Sequence, residues 1–213
     1  ALIALAGVIE RLAATGVIGG WRTERYAVVE RRGAPPLASS ERAAARFLGV
    51  LTFAAHCNAW TRHGDEVLMW IARRSASKSV DPGMLDNLVA GGVAFGLSSR
   101  ETLLKEGVEE AGIAVELMTG ATPGRSVQVL REVAEGCQNE LLQVHDLELP
   151  PDFSPVNQDG EVAEFRRCPL PEVVELVAAG AFTVDASLAA LDFMFRHRVL
   201  QEADYPGFRE LVR

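Results

Sequence analysis

The sequence predicts an α/β protein, a sandwich of helices around a mixed β-sheet. Short apolar runs bounded by Gly, Pro or Asp alternate along the chain with longer segments of helical periodicity. Some runs are close enough to form antiparallel hairpins and others are separated by helices, which is typical of a mixed sheet covered on its faces. The chain has 213 residues, 48% of them hydrophobic, which is enough for one substantial core.

The first 46 residues are predicted to form an N-terminal helical extension, and residues 47–213 the main domain. Apolar residues recur at helical spacing up to Gly16, a suitable C-cap, and the segment Ser39–Arg42 has the pattern of a second helix start. The chain does not begin with Met, which leaves open whether the extension is the end of a longer upstream region.

The main domain is predicted to contain strands, one strongly capped helix and two closing helices. Ser98 and Glu101 have the spacing of a capping box, and Gly112 lies where a helix C-cap belongs. Residues 60–65 suit the tip of a hairpin. The predicted strands are 47–55, 67–72, 114–118, 127–133, 140–149 and 162–167, and the predicted helices are 101–111, 171–179 and 185–200.

Charge and cysteine usage limit the classes of partner. The formal net charge is −8 and no basic block is present, so we expect a small molecule and not a nucleic acid as partner. Glu10 and Arg11 interrupt the apolar opening stretch, so no membrane span or membrane partner is predicted. Three separated cysteines lack zinc-ligand spacing, which favours a reduced, cytoplasmic protein. A homodimer is left open as the oligomeric state.

Three glutamates on one predicted helix form the most informative pattern. Glu106, Glu109 and Glu110 fall within an arc of about 100° on a helix, so their carboxylates project from one face. Carboxylates this close repel one another, and a bound Mg²⁺ would turn the repulsion into coordination. The alternative is a solvated acidic face, which is the usual meaning of such a pattern when it stands alone.

The residues around this helix follow a longer motif. Their order resembles the Nudix box, G-x5-E-x7-R-E-U-x-E-E-x-G-U, in which U is a bulky aliphatic residue. The positions that match at the right spacing are Gly91, Glu106, Glu109, Glu110, Gly112 and Ile113. The positions that depart are Leu97 in place of the first Glu, Lys105 in place of Arg, and Gly107 in place of the aliphatic residue. The Lys105 change matters because Lys offers a point charge where Arg offers a planar fork.

A wider similarity links the chain to one branch of the Nudix hydrolases. That branch includes plant chloroplast Nudix hydrolases and the domain fused to yeast thiamine pyrophosphokinase, and it also tolerates residues such as Leu97 and Lys105. The resemblance implies a Nudix α/β/α sandwich and cleavage of a small-molecule diphosphate by metal-activated water, with Mg²⁺ or Mn²⁺. The segments that carry it are 19–24, 40–44, 74–78, 82–92, 147–153 and 157–162.

The resemblance also assigns roles to single residues. Glu106 and Glu110 would be the main metal ligands, Glu109 a direct or water-mediated one, and the Gly91 carbonyl could assist. The predicted catalytic residues are Glu109, Glu110 and Lys105. The implied substrate is thiamine diphosphate or an oxidised or otherwise damaged analogue, released as the monophosphate. Fold alone does not fix such a ligand, because one fold carries many specificities.

Residues outside the box complete the predicted site. Glu161 would add a carboxylate to the metal site, with a surface turn after Asp159 and Gly160 as its alternative. A net-acidic protein needs local cations to hold a diphosphate, and Arg forks match phosphate oxygens. The predicted clamp is Arg73, Arg74 and Lys78, with a solvated basic loop as the alternative.

Other readings of the same residues remain open. Leu97, Lys105 and Gly107 favour a catalytically silent binding module with the same fold. A pyrophosphatase of nucleoside-diphosphate derivatives is a second alternative. A metal-dependent isomerase would need a catalytic cysteine, for which Cys57 is the candidate. The four histidines share no ligand spacing and are predicted to be packing or surface residues.

Overall fold

The computed structural model describes residues 2–201 together with Ala203, Tyr205 and Gly207. Its centre is a seven-stranded mixed sheet with helices on both faces, as predicted. No helix in the described part of the chain is long and apolar enough to cross a membrane. A 3₁₀ turn at Arg42–Ala44 accompanies these elements: α1 (Leu2–Ala14), β1 (Arg25–Val28), β2 (Ala38–Glu41), α2 (Ala45–Leu48), β3 (Thr52–His63), β4 (Glu66–Arg74), β5 (Leu85–Asn87), β6 (Val89–Gly92), α3 (Ser99–Ala111), α4 (Val115–Met118), β7 (Thr122–Val133), β8 (Gly136–Glu148), β9 (Val162–Pro169), α5 (Leu170–Ala178) and α6 (Val184–Arg196).

The sheet divides where β3 and β4 separate. The strand order is β5-β4-β3-β8-β7, with β9 on β4 and β6 on β3. β3 pairs with β4 only over Trp60–His63, near the hairpin tip, and then with β6 over Ala54–Cys57. On its other edge β3 runs parallel to β8. The chain therefore passes from the β4 edge to the β3 edge at Leu88, and an opening forms between the two halves of the sheet.

Apolar side chains fill both faces of the sheet because successive strand residues point in opposite directions. Ala55, Cys57 and Ala59 on β3 pack with Leu103 of α3 on one face. On the other face, Trp60 packs with residues of α5 and α6, including Phe193. The site-bearing helix α3 is thus anchored to one face and the closing helices to the other.

The N-terminal extension is not helical throughout. β1 and β2 form a separate two-stranded antiparallel sheet between α1 and the 3₁₀ turn. The expected helix start at 39–42 is therefore wrong for Ser39–Glu41, which pair with Arg25–Ala27. A short polar segment can follow either a capped helix or an edge strand, and its pairing partner decides.

One predicted strand is a helical turn. Residues 114–118 form α4 instead of a strand, and only Met118 of this turn is buried. Short apolar runs are ambiguous between strand and helix, and here the turn places Met118 beneath α3. The predicted strand 47–55 begins later, because α2 extends to Leu48 and β3 starts at Thr52.

Candidate active site

A cavity of about 390 Å³ lies at the opening of the sheet. This main cavity has the size of a small-molecule site. Its floor is one face of β3 and β8. Thr52, Ala54 and His56 alternate along β3, Thr52 pairs in register with Glu140 of β8, and Gln138 of β8 also lines the cavity. Charged side chains around it come from five parts of the chain: Arg22, Arg42, Arg46, Arg74, Lys78, Asp81, Asp86, Glu135, Glu140, Glu161 and Asp185.

The N-terminal extension forms one wall of the main cavity. Tyr26 is buried and its hydroxyl lies against Gly92, where an added Cβ would be 1.7 Å from Oη. Arg42 lies over the Tyr26 ring at 5.6 Å and donates to Glu24 at 2.6 Å. Arg22 donates to Ser79 at 3.1 Å. The cavity is therefore shaped by both parts of the chain.

Local sequence holds the glutamate-bearing helix α3 in place. Ser98 accepts from the Glu101 backbone and Glu101 accepts from the Ser98 backbone, which is the predicted capping box. The helix ends at Gly112 with φ of 63°, a conformation that favours glycine. Gly91 of β6 lets the helix approach closely, since an added Cβ would lie 2.5 Å from Cγ of Glu106. Backbone geometry thus explains why the box has glycine at positions 91 and 112: one admits the helix and the other adopts a left-handed conformation.

Glu110 is the most strongly perturbed carboxyl of the site. It is 6% exposed, and its Oε2 accepts a hydrogen bond from the Ala90 backbone at 3.0 Å. Burial raises its pKa well above the usual value, and the nearby carboxylates of Asp86 and Glu106 raise it further. A buried carboxyl with too little positive charge nearby is a candidate both for metal binding and for proton transfer.

Glu106 and Glu109 share a cation. Lys105 Nζ lies 3.1 Å from Glu106 Oε1 and 2.7 Å from Glu109 Oε2. Burial opposes the charge of Lys105, but these two hydrogen bonds raise its pKa above the usual range. Burial raises the pKa of Glu106, although Lys105 lowers it. Glu109 is 46% exposed at its side chain, against 17% for Glu106, so Glu106 and Glu110 are the inward carboxylates.

Glu161 faces the same region from the start of β9. It forms an ion pair with Lys78, and Arg22 Nη1 lies 3.9 Å from its Oε1. Burial opposes ionisation, but the contact with Lys78 lowers the pKa of Glu161. A second cavity of about 10 Å³, room for one water or ion, is lined by Glu110, Glu161, Lys78 and Asp86 among others. Glu161 also follows a turn at Gly160, and its role as a metal ligand stays a prediction.

The donor set suits a hard divalent cation. Glu106, Glu110 and Glu161 are carboxylates, the ligand type that Mg²⁺ prefers, and the charges of Glu106 and Glu161 act on each other. Within residues 2–201, 203, 205 and 207, no three Asp, Glu, His or Cys side chains form a preassembled metal cluster. Lys78 and Lys105 occupy the carboxylates instead. The residue types and the small cavity fit a metal, with these ion pairs rearranging on binding.

The sequence is similar to a family of unknown function and to two plant Nudix hydrolases. Residues 3–52 match a family described as Domain of unknown function (DUF4743). The chain is 41% identical over 212 residues to Nudix hydrolase 24, chloroplastic, and equally to Nudix hydrolase 20, chloroplastic, both of Arabidopsis thaliana. Each alignment covers 99% of this chain. The chain is therefore similar to Nudix hydrolases over nearly its whole length. It spans 58% and 56% of these two relatives' own lengths.

A yeast protein and two solved structures are also similar to the chain. Uncharacterized protein YJR142W of Saccharomyces cerevisiae is 32% identical over 209 residues, covering 92% of this chain and 60% of that protein. The predicted likeness to a domain fused to thiamine pyrophosphokinase stays a prediction. DR0079 from Deinococcus radiodurans has a TM-score of 0.59 at 24% identity, covering 79% of this chain and 97% of that one. The NUDIX domain of Shewanella oneidensis NrtR, complexed with ADP ribose, has a TM-score of 0.52 at 13% identity, covering 71% and 90%. These two structures show the Nudix fold.

The unusual residues of this Nudix box have structural partners. Gly107 stands where the motif has an aliphatic side chain, and an added Cβ would lie 2.7 Å from Met118 Sδ. Met118 of α4 therefore fills the space that the aliphatic residue would occupy. Leu97 is 39% exposed and does not line either cavity. Lys105 keeps the positive charge of the missing Arg and contacts two box glutamates.

The three residues of the predicted phosphate clamp have different surroundings in the structure. Arg73 does not line the main cavity; it pairs with Glu164 at 3.1 Å and donates to the Gly83 carbonyl. Arg74 lines the cavity, but its guanidinium donates to Asp86 at 2.7 Å and to the carbonyls of Val80 and Asp81. Lys78 reaches the site beside Glu161. A phosphate-binding role for these three residues stays a prediction; Arg73 lies outside the lining of the main cavity, and Arg74 holds the loop through its carbonyl contacts.

Two further expectations change at the site. Cys57 is fully buried in the core on the α3 face and lines neither cavity, and burial raises the pKa of its thiol, all of which disfavours a role as an isomerase nucleophile. His56 was expected to be a packing or surface histidine; it is buried but lines the main cavity. Sequence reasoning also missed Arg22, Tyr26 and Asp185. The sequence contains one weak indication of Arg22, because this residue lies in segment 19–24, which carries part of the Nudix resemblance.

Proposed function

We propose that this protein hydrolyses a small-molecule diphosphate with the help of Mg²⁺. The observation that carries the proposal is the buried, strongly perturbed Glu110, which shares the small cavity with Glu161 and Lys78 beside the main cavity. A carboxyl in a cleft whose pKa is raised by burial and by neighbouring charges is a candidate proton acceptor. Relatives at 41% identity are named as Nudix hydrolases, which supports the same reaction class.

In this proposal water attacks one phosphorus of the diphosphate. A new phosphorus–oxygen bond forms, the bond from that phosphorus to the bridging oxygen breaks, and the bridging oxygen leaves with the other phosphate. The proton of the water passes to Glu110 or Glu109. Glu110 is better placed because it is buried beside the cavity, whereas Glu109 is half-exposed and held by Lys105. Lys105 then acts by orienting the box glutamates.

The metal would be held by residues from three parts of the chain. Glu106 and Glu110 on α3 are the proposed main ligands. Glu161, immediately before β9, and the Gly91 carbonyl of β6 would complete the site, with Glu109 acting directly or through water. When bound, Mg²⁺ or Mn²⁺ supplies charge neutralisation for the diphosphate and lowers the pKa of a bound water. Lys78 and Arg22 border Glu161 and would take phosphate oxygens.

The proposed substrate is thiamine diphosphate or one of its oxidised or damaged analogues, cleaved to the monophosphate. A nucleoside-diphosphate derivative is the alternative substrate. A catalytically silent binding module is the competing function, because Lys78 and Lys105 hold the ligand carboxylates in ion pairs. A cytoplasmic location and a homodimer stay predictions; the names of the plant relatives place those proteins in chloroplasts.

Product analysis by phosphorus NMR tests the function. The protein is incubated with thiamine diphosphate, ADP-ribose and isopentenyl diphosphate in the presence of Mg²⁺ or Mn²⁺. We expect thiamine monophosphate and inorganic phosphate from the first compound and no products after addition of EDTA. Calorimetric binding of thiamine diphosphate with no products at any metal concentration would instead establish the binding module.

A further inference from the structure

One end of the main cavity carries hydrogen-bond acceptors that the proposed chemistry does not use. We define this acceptor end as His56 on β3, Gln138 and Glu140 on β8, and Asp185 in the first turn of α6. All four line the main cavity. They lie on β3, β8 and α6, whereas the box glutamates lie on α3.

Gln138 holds the two carboxylates in position. Its Nε2 lies 3.0 Å from Glu140 Oε2 and 3.0 Å from Asp185 Oδ2, and its Oε1 accepts from Arg131 at 2.8 Å. Because an amide nitrogen has two hydrogens, these contacts use its donors fully. Each carboxylate has about four lone-pair sites. The carboxylates therefore keep acceptor capacity for a ligand in the cavity.

His56 supplies an independent observation at the same end. The residue is 5% exposed, and its Nδ1 bonds to Asn87 Oδ1 at 2.8 Å. Asn87 uses its amide nitrogen to donate to Asn58, so the Asn87 oxygen accepts from Nδ1 and leaves Nε2 as an acceptor. Within the described chain, His56 Nε2 has no hydrogen-bond partner. Because His56 lines the main cavity, its Nε2 can accept a hydrogen bond from an N–H group of a ligand bound there.

Electrostatics favours a donor or a positive charge here. Burial raises the pKa of Asp185, and the charge of Glu140 raises it further. Arg42 attracts Glu140 from the N-terminal wall, but its guanidinium donates to Glu24. The phosphate-facing cations Lys78 and Arg22 lie instead beside Glu161. The cavity therefore carries acceptors at one end and, at the other, the cations Lys78 and Arg22 paired with Glu161.

We propose that the acceptor end binds an amino-bearing heterocycle, the organic part of the diphosphate substrate. The ring's amino and N–H groups donate to Asp185, Glu140 and His56 Nε2 while the diphosphate extends toward Lys78 and the box glutamates. This inference rests on the proposed function for its orientation. It selects against diphosphates of apolar alcohols, which would leave the buried acceptors unpaired.

Equilibrium binding without metal tests the acceptor end separately from catalysis. The full chain is titrated calorimetrically in EDTA with thiamine diphosphate and with isopentenyl diphosphate, which carries the same diphosphate on an apolar chain. We expect tighter binding of thiamine diphosphate. Asp185→Asn and Glu140→Gln should each weaken that binding about tenfold, the scale of one hydrogen bond to a charged group, and leave isopentenyl diphosphate unaffected.

Asp81→Asn is the matched control, because it makes the same change elsewhere on the cavity wall. We expect it to preserve the preference. Equal affinity of the wild type for both compounds, no binding of either, or equal losses for both in Asp185→Asn would overturn the inference. Binding of Mg²⁺ alone that disappears in Asp185→Asn would also overturn it, since the acceptor end would then be a metal site. Turnover in Mg²⁺ is measured separately, so a failure of hydrolysis with intact selective binding contradicts only the proposed function.

Discussion

At the scale of single residues, Glu110 carries the strongest prediction. Glu110→Gln keeps the shape and can still accept from the Ala90 backbone, but it removes the charge and the basic oxygen. We expect turnover of the diphosphate substrate to fall more than about a hundredfold, while the circular dichroism spectrum stays close to wild type and the melting temperature near neutral pH does not fall. Glu116→Gln, the same change on an exposed residue of α4, should be neutral. Wild-type activity in Glu110→Gln would remove this residue from the site.

The two neighbouring arginines should behave differently. Arg74 is largely buried and joins Asp86 to the loop carbonyls, so Arg74→Ala should lower the free energy of unfolding by about 3 kcal/mol. Arg73 pairs with Glu164 on the surface, and Arg73→Ala should cost less than about 1 kcal/mol. Urea unfolding of both variants measures the difference. Equal decreases in unfolding free energy would contradict the conclusion that Arg74 is a buried structural residue and Arg73 a surface one.

At the scale of elements, α3 and α4 compensate for an unusual box residue. Met118 occupies the space beside Gly107, so Gly107→Leu should overpack this contact and cost about 2 kcal/mol of unfolding free energy. Met118→Ala alone should cost about 3 kcal/mol, because it leaves a cavity in the core. The double variant should be more stable than the sum of the two losses predicts, since the new side chain fills the vacated space. Chemical denaturation of all four proteins gives the coupling, and strict additivity would show that α4 does not complete the box.

The N-terminal extension matters at this scale because it is part of the cavity. Tyr26 stands over Gly92 of the box, and Arg22 reaches Glu161 and Ser79. The predicted boundary after residue 46 falls inside α2, and the division into two parts stays a prediction. In space, however, the two parts share one site, so the extension can select substrates as well as cover the core.

At the scale of the whole molecule, the buried carboxyls couple stability to pH and metal. The folded state raises the pKa of Glu110 and Glu106, so it holds their protons more tightly than the unfolded chain does. Their contribution to the free energy of unfolding therefore falls as pH rises from about 4.3 through their folded pKa values. Glu161 acts oppositely: its lowered pKa stabilises the fold above about pH 4.3, and that contribution is lost as pH falls.

Binding of a divalent metal should offset the decrease in unfolding free energy that ionisation of Glu110 and Glu106 causes at higher pH. We expect the rise in melting temperature on adding Mg²⁺ to be negligible near pH 4, where the carboxyls are protonated, and to grow as pH increases. NaCl at equal ionic strength controls for screening. In Glu110→Gln the pH-dependent increment should shrink. An increment that is independent of pH, or unchanged in that variant, would place the metal elsewhere.

The sequence determined the fold class, the capped helix and the identity of the acidic site. These depend on local rules: the Ser98–Glu101 box sets the start of α3, helical spacing puts Glu106 and Glu110 on one side, and the glycine at 91 admits Glu106. The motif could be read because its chemistry needs fixed spacing along one helix. The departures Leu97, Lys105 and Gly107 could also be seen in the sequence. Their structural partners, such as Met118 beside Gly107, could not be predicted from it.

Tertiary structure alone decided which distant residues meet at the site. The opening of the sheet brings His56 beside Asp185, the hairpin of the extension brings Tyr26 over Gly92, and the core places Met118 beneath Gly107. Arg73 and Arg74 are adjacent in sequence, yet strand alternation and the loop carbonyls give them different partners. Such contacts join segments far apart in the chain. They follow from packing and hydrogen-bond satisfaction in the folded molecule, which local periodicity does not encode.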